Sequence, residues 1–154
     1  VDDAEARFPE VVPDHAERVI TKDAARLAIH APEDAAHLVM SYSHALDLEI
    51  CHAVLHRGAF SRLGLIGSAT KAARFRARLG ALGHSTEVIS RLECPIGLRR
   101  EDAVLGGKSP AEIAISVAAD HLAWRNHAEK GRFRANDGAF SAENDAKTAR
   151  GAGI

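Results

Sequence analysis

With 154 residues, the chain has room for one domain with a real core and not for two. Apolar residues make up 46% of it but aromatics only 5%, so the core has to come from Ala, Leu, Ile and Val, which suits helices packed closely on a parallel sheet. A net charge of −1 excludes global attraction to nucleic acid. Two cysteines, Cys51 and Cys94, are too few for a disulfide framework, and no apolar run reaches span length, so the expectation is a reduced, cytoplasmic protein with no membrane contact.

In chain order, Val1 to Pro13 reads as the exit from a strand followed by an irregular, proline-punctuated loop. Val19-Ile20-Thr21 is a short strand candidate, and Asp23 caps a brief helix through His30 that Pro32 ends. The run His37 to Ser41, with Leu38, Val39 and Met40, fits a strand buried on both faces. From Ser43 the period is helical: Leu46, Ile50 and Val54 recur, Leu48, Cys51 and Leu55 widen the stripe, and Gly58 supplies the stop. Leu63 to Ile66 reads as a further buried strand. The helix after it places Phe75, Leu79 and Leu82 on one face and Lys71, Arg74 and Arg78 on another, ending near Gly80 and Gly83.

Ser85 to Leu92 predicts a short helix, and Cys94 to Leu98 a loop or edge segment. Ser109, Pro110 and Glu112 form the capping box of a last helix, whose Ile113, Ala114, Ile115, Val117, Ala118 and Leu122 are apolar nearly all round and predict burial. Residues 1–127 form the expected domain, and 128–154 a tail that is disordered or ordered by a partner. Strands alternating with helices over short connections predict a doubly wound α/β fold.

Two strand-to-helix junctions carry candidate chemistry, since open parallel sheets bind ligands at the carboxyl ends of their strands. At the first, His44 and Asp47 share one face of a first helical turn, as a ligand-contacting pair or as capping by Ser43 or His44. At the second, Gly67 and Ser68 open a helix beside Lys71. Its unpaired amides and dipole favour an anion such as a phosphate, against a bland reading of equal weight as a helix with a solvated basic face. Glu49, His52 and His56 fall on one face with metal-pair spacing, but a solvated helix face explains them better. Gly106-Gly107-Lys108-Ser109 resembles the end of a P-loop. Asp102 stands where its first glycine belongs, which leaves Lys108 only as a weak anion contact. Cys94 is evenly a structural thiol or one that meets something soft, and Cys51 is apolar filling.

Taken together, Ser43-His-Ala-Leu-Asp47, Leu63-Gly-Leu-Ile-Gly-Ser68 with Lys71, Cys94-Pro-Ile-Gly-Leu98 and Gly107-Lys-Ser-Pro-Ala-Glu-Ile-Ala-Ile-Ser-Val-Ala-Ala119 resemble the C-terminal Rossmann domain of the XdhC/CoxI family, the xanthine dehydrogenase accessory proteins. The resemblance covers about Val1 to Leu122. It implies a Rossmann-like parallel sheet flanked by helices and a non-catalytic accessory role. In that role the domain binds molybdenum cofactor (molybdopterin) transiently, helps it acquire its terminal sulfur and delivers it to a hydroxylase such as xanthine dehydrogenase, with a sulfur donor protein as a second partner and a homo-oligomer as the assembly. It also implies a cofactor-binding set of Ser43, His44, Asp47, Gly67, Ser68, Lys71, Cys94, Gly97 and Lys108, with the phosphate at Gly67, Ser68 and Lys71 and the metal end nearer Cys94 and His44. The rival expectation is an NAD(P)- or FAD-dependent oxidoreductase, and a third is a fragment that only mediates protein contacts.

This chain departs from the family at Ser41, Tyr42 and Ser43, where Thr, His and Asp are common, and at Ala69 and Thr70, where arginines are common. The resemblance also starts the chain at the end of the domain's second strand. Asp2 and Asp3 then stand where a Rossmann sheet places its acidic ribose contact. The first strand and its glycine-rich loop fall outside these residues, as does the separate N-terminal domain. The sheet is expected to lack a central strand, which a complementary segment, a swapped partner or an incomplete chain would account for.

Overall fold

The computed structural model describes residues 1–100, 103–104 and 109–128. The chain divides into two compact units, Val1–Ile96 and the residues from Gly97 on.

The first unit is an open sheet with helices packed on it. Its elements are α1 (Ala24–Ile29), β1 (Ala36–Val39), α2 (His44–Arg57), β2 (Arg62–Leu65), α3 (Ala69–Ala81), α4 (Thr86–Ser90) and β3 (Leu92–Glu93), after a 3-10 turn at Glu5–Arg7. β1, β2 and β3 run parallel in that order. His37 stands beside Leu63 and Val39 beside Leu65, and Leu63 beside Leu92. The result is a Rossmann-like α/β fold. Leu92, read from sequence as the end of a helix, instead opens the third strand, Leu92–Glu93, too short to leave a periodic signal.

Short side-chain caps start the helices. Asp23 accepts from the Arg26 amide at 2.9 Å, Ser43 from Leu46 at 3.4 Å, Ser68 from Lys71 at 3.2 Å and Ser85 from Val88 at 3.2 Å. Gly58 ends α2 with φ +77°, the left-handed stop its position predicts. The core gathers Val39, Cys51, Val54, Leu55, Leu63, Leu65, Phe75 and Leu79 between sheet and helices. Between β2 and β3, buried Arg62 is clamped by Glu93, its Nε and Nη2 donating to one carboxylate oxygen at 3.0 and 2.6 Å.

Three burial expectations are corrected. Leu38 is 37% and Met40 51% exposed, so β1 is not buried on both faces; nothing pairs with its edge away from β2 among the described residues. The buried stripe of α2 is Asp47, Cys51, Val54 and Leu55, whereas Leu46 and Ile50 are half-buried and line an open groove. Leu82 lies past the end of α3 and is exposed. Near the chain start, Asp2 and Ile20 form a parallel bridge, the remnant of the two strands read at Val1 and at Val19–Thr21.

In the second unit, Arg99–Arg100 (β4) and Ala103–Val104 (β5) pair antiparallel, and a helix, α5, covers 110–128. Its capping box forms as expected: the Glu112 amide donates to Ser109 Oγ at 3.3 Å, and the Ser109 amide to the Glu112 carboxylate at 3.2 Å. The burial expected of α5 is corrected. Ser116 and Val117 are buried, but Ile115 is 71% and Leu122 49% exposed, so among the described residues only one face of the helix is covered. The expected tail lies outside the described residues from 129 on.

Candidate functional site

The carboxyl ends of β1 and β2 open into the loops Met40–Ser43 and Ile66–Ser68, which start α2 and α3. Asp47, one turn into α2 and fully buried, joins them. Its Oδ1 accepts from the Ser41 amide at 2.9 Å and from Ser41 Oγ at 2.7 Å, and its Oδ2 from Lys71 Nζ at 2.7 Å. Lys71 Nζ also donates to the Ile66 carbonyl at 2.8 Å. The lysine stem lies across Gly67, where a Cβ would come within 3.1 Å of Lys71 Cβ. Lys71, expected to reach an anion, thus spends its charge on Asp47 and closes over the Gly67 turn from inside the fold.

Beside this pair, α3 presents a pocket of about 150 Å3 lined by His44, Ser68, Thr70, Lys71, Arg74 and Arg78, with Phe75 beneath. No carboxylate lines it. Among the described residues neither Arg74 nor Arg78 has an ion-pair partner, so both guanidinium groups keep their donors for something else. The first amides of α3 have no intrahelical acceptor, and the helix dipole adds positive potential at the same end. The arrangement suits a phosphate-sized anion. Arg74 and Arg78 were legible in the sequence as one basic face. What the sequence did not show is that Lys71 leaves that face while the arginines stay.

The other expected residues take different structural roles. His44 lines the basic pocket; Ser43 is the α2 cap and Ser68 the α3 cap. Cys94 follows β3 and is buried in the core cluster, outside the pocket lining. Gly97 belongs to the second unit, with φ +124° and its amide donating to Asp120 at 3.4 Å. Lys108 lies outside the described residues. Cys51, next to Asp47 and Cys94, has its thiol pushed up to about 12, by burial first and then by these neighbours. Asp2 and Asp3 both pair with Arg7, at 2.6 and 2.5 Å, and Tyr42 donates to Asp3 at 3.0 Å.

His52 meets a partner that helical spacing did not suggest. Its Nδ1 lies 2.8 Å from Nε2 of His84, with His56 6.0 Å away between ring centres. Among the described residues no three His, Cys, Asp or Glu side chains are placed to hold a metal ion. No described helix is long and apolar enough to cross a membrane.

Comparison with known proteins agrees with this architecture. The uncharacterized protein YqeB of Escherichia coli (strain K12) is 39% identical over 69 residues, which are 45% of this chain and 12% of that protein. The chain therefore spans a small part of the curated relative it matches. A family model described as the XdhC Rossmann domain matches residues 1–121, and with the parallel sheet and its helices this places the chain in the XdhC family.

Proposed function

We propose that this domain holds a phosphate-bearing cofactor in transit, the molybdenum cofactor, and serves as an accessory protein to a molybdenum hydroxylase such as xanthine dehydrogenase. One observation carries the reading: the pocket at the start of α3 gathers Arg74, Arg78 and His44 with no carboxylate in its lining, at the sheet edge where α/β folds bind ligands. Membership of the XdhC family supports the same role.

The donor set fits the phosphate of molybdopterin. Arg74 and Arg78 would clamp it, Thr70 and the first α3 amides would complete its hydrogen bonds, and Lys71 with Asp47 would hold the loop in shape. A space of about 150 Å3 takes a phosphate and not a pterin, so the rest of the cofactor would lie outside this pocket. When bound, the cofactor supplies the redox metal and its terminal sulfur. The protein's part is to bind, orient and release. A cytoplasmic location, a sulfur donor protein and a homo-oligomer belong to the same proposal.

The test is retention of cofactor. Purified protein is incubated with molybdenum cofactor, desalted, and the bound molecules identified by mass spectrometry. Stoichiometric pterin is expected, falling at least tenfold in an Arg74→Ala/Arg78→Ala variant. Bound nicotinamide or flavin instead would favour an oxidoreductase, and pterin retention indifferent to both arginines would remove the pocket from the reading.

A further inference from the structure

Two places are open to the Lys71 side chain. With Arg74 and Arg78 it follows the i, i+3, i+7 spacing of one helix face, and it lines the α3 pocket beside them. Extended along that face, it would bring a third side-chain cation of α3 to the pocket. Instead the side chain folds back across Gly67, and its ammonium donates to Asp47 Oδ2 at 2.7 Å and to the Ile66 carbonyl at 2.8 Å. The ammonium stands 5.3 Å from the centre of the Phe75 ring, which floors the pocket, so the way from one place to the other is short.

Asp47 holds the lysine back. The carboxylate is fully buried, and Lys71 is its ion-pair partner. Its other donors, the amide and hydroxyl of Ser41, are neutral. Were Lys71 to leave, the carboxylate would stay buried with its charge uncompensated, a severe cost. An anion in the pocket has to overcome that cost to recruit the lysine. Arg74 and Arg78 are exposed and, among the described residues, without ion-pair partners, so they turn to the anion freely. Asp47 itself is absent from the pocket lining and touches nothing bound there.

Resting on the phosphate reading of this pocket, we propose that Asp47 regulates it by withholding Lys71. The aspartate sets the anion affinity below what the three basic side chains of α3 would give together. Such a setting suits a phosphate-bearing passenger that has to be handed on. Affinity differences among related complexes lie mostly in the rate of escape, so one cation fewer around the phosphate means faster release. The pairing also spares α3 the repulsion of three like charges on one face.

The experiment titrates inorganic phosphate into the 154-residue chain at low ionic strength and follows side-chain and amide NMR signals. In the unaltered chain the Arg74 and Arg78 Nε–H signals should shift as phosphate saturates, while the Lys71 ammonium signal stays in place. Asp47→Asn should tighten phosphate binding about tenfold, the worth of one added charge-assisted hydrogen bond. Adding Lys71→Met to Asp47→Asn should weaken it again by about fivefold or more, because the freed lysine carries the gain. An aspartate with only a structural role would lose affinity on replacement rather than gain it. A Lys71 ammonium that shifts with the arginines would overturn the proposal. So would a folded Asp47→Asn chain that binds phosphate no tighter, or a gain that survives Lys71→Met. Arg74→Ala/Arg78→Ala checks the pocket separately: binding weakened about tenfold or more supports the phosphate reading, and unchanged binding would overturn that reading and the role of Asp47 with it.

Discussion

Asp47 and Lys71 form an ion pair 2.7 Å long inside the carboxyl edge of the sheet, with the aspartate fully buried and the lysine 11% exposed. A carboxylate there is tolerable because Lys71 and two Ser41 donors surround it. The pair ties the loop after β1 to the loop after β2 and fixes the wall against which Arg74 and Arg78 stand.

Replacing only Lys71 should leave that carboxylate buried and half satisfied. Lys71→Met is expected to cost about 3 kcal/mol of unfolding free energy, the low end for a broken buried pair because Ser41 still donates. Asp47→Asn/Lys71→Met should recover about 1 kcal/mol or more relative to the sum of the single changes. Urea denaturation of Lys71→Met, Asp47→Asn and the double variant checks this. Additive losses would show that the two side chains do not stabilise each other.

Gly64 sits in the middle of β2 because the backbone there is crossed closely. A Cβ at that position would collide with Ile96 Cγ2 and lie 3.3 Å from Leu38 Cδ2, and Ile96 is itself buried. Gly64→Ala should cost about 1–3 kcal/mol through overpacking. Gly80→Ala in α3, where the nearest atom is Ile89 Cδ1 at 3.9 Å, should stabilise by about 0.5–1 kcal/mol instead. Thermal melts of both variants give opposite signs if this packing is right.

Much of the fold was legible because its signals are local. Ser43, Ser68 and Ser85 each precede a helix and cap it, Gly58 stops α2, and the apolar run at Leu63–Leu65 is the fully buried strand. What sequence could not show is what stands beside an element. The run around Leu38 looks equally apolar whether or not a strand flanks it, so its exposure had no signature. Lys71 reads as one of several basic residues on a helix, and only the position of Asp47, 24 residues earlier, turns it inward. His84 has no periodic link to His52, since a separate turn brings it there.

Cys51 should be inert as a thiol. With its titration pushed to about 12, about one molecule in ten thousand is thiolate at pH 8. In a Cys94→Ala variant, which leaves Cys51 as the only cysteine, a disulfide reagent at pH 8 should label the native chain no faster than it unfolds, and rapidly in denaturant. Fast stoichiometric labelling of the folded chain would mean that the core around Cys51 admits solvent.

The histidine contact makes stability depend on pH. His52 Nδ1 and His84 Nε2, 2.8 Å apart, share a hydrogen bond only while one ring nitrogen accepts. The His84 pKa is lowered from its ordinary 6.5, by burial first and then by the nearby His52 and His56. The unfolded chain therefore takes up its proton first. Stability from this group is complete above pH 6.5 and is lost as pH falls from there toward the lower folded value. His37, lowered by burial and by Arg57, acts with the same sign. The melting temperature should fall between pH 7 and pH 5. His84→Gln, which can keep a hydrogen bond without gaining a charge, should make that fall shallower but not abolish it, because His37 remains. An unchanged slope in the variant would assign the whole acid sensitivity to His37 and to carboxylates such as Glu112, whose pKa is lowered by its bonds to Ser109.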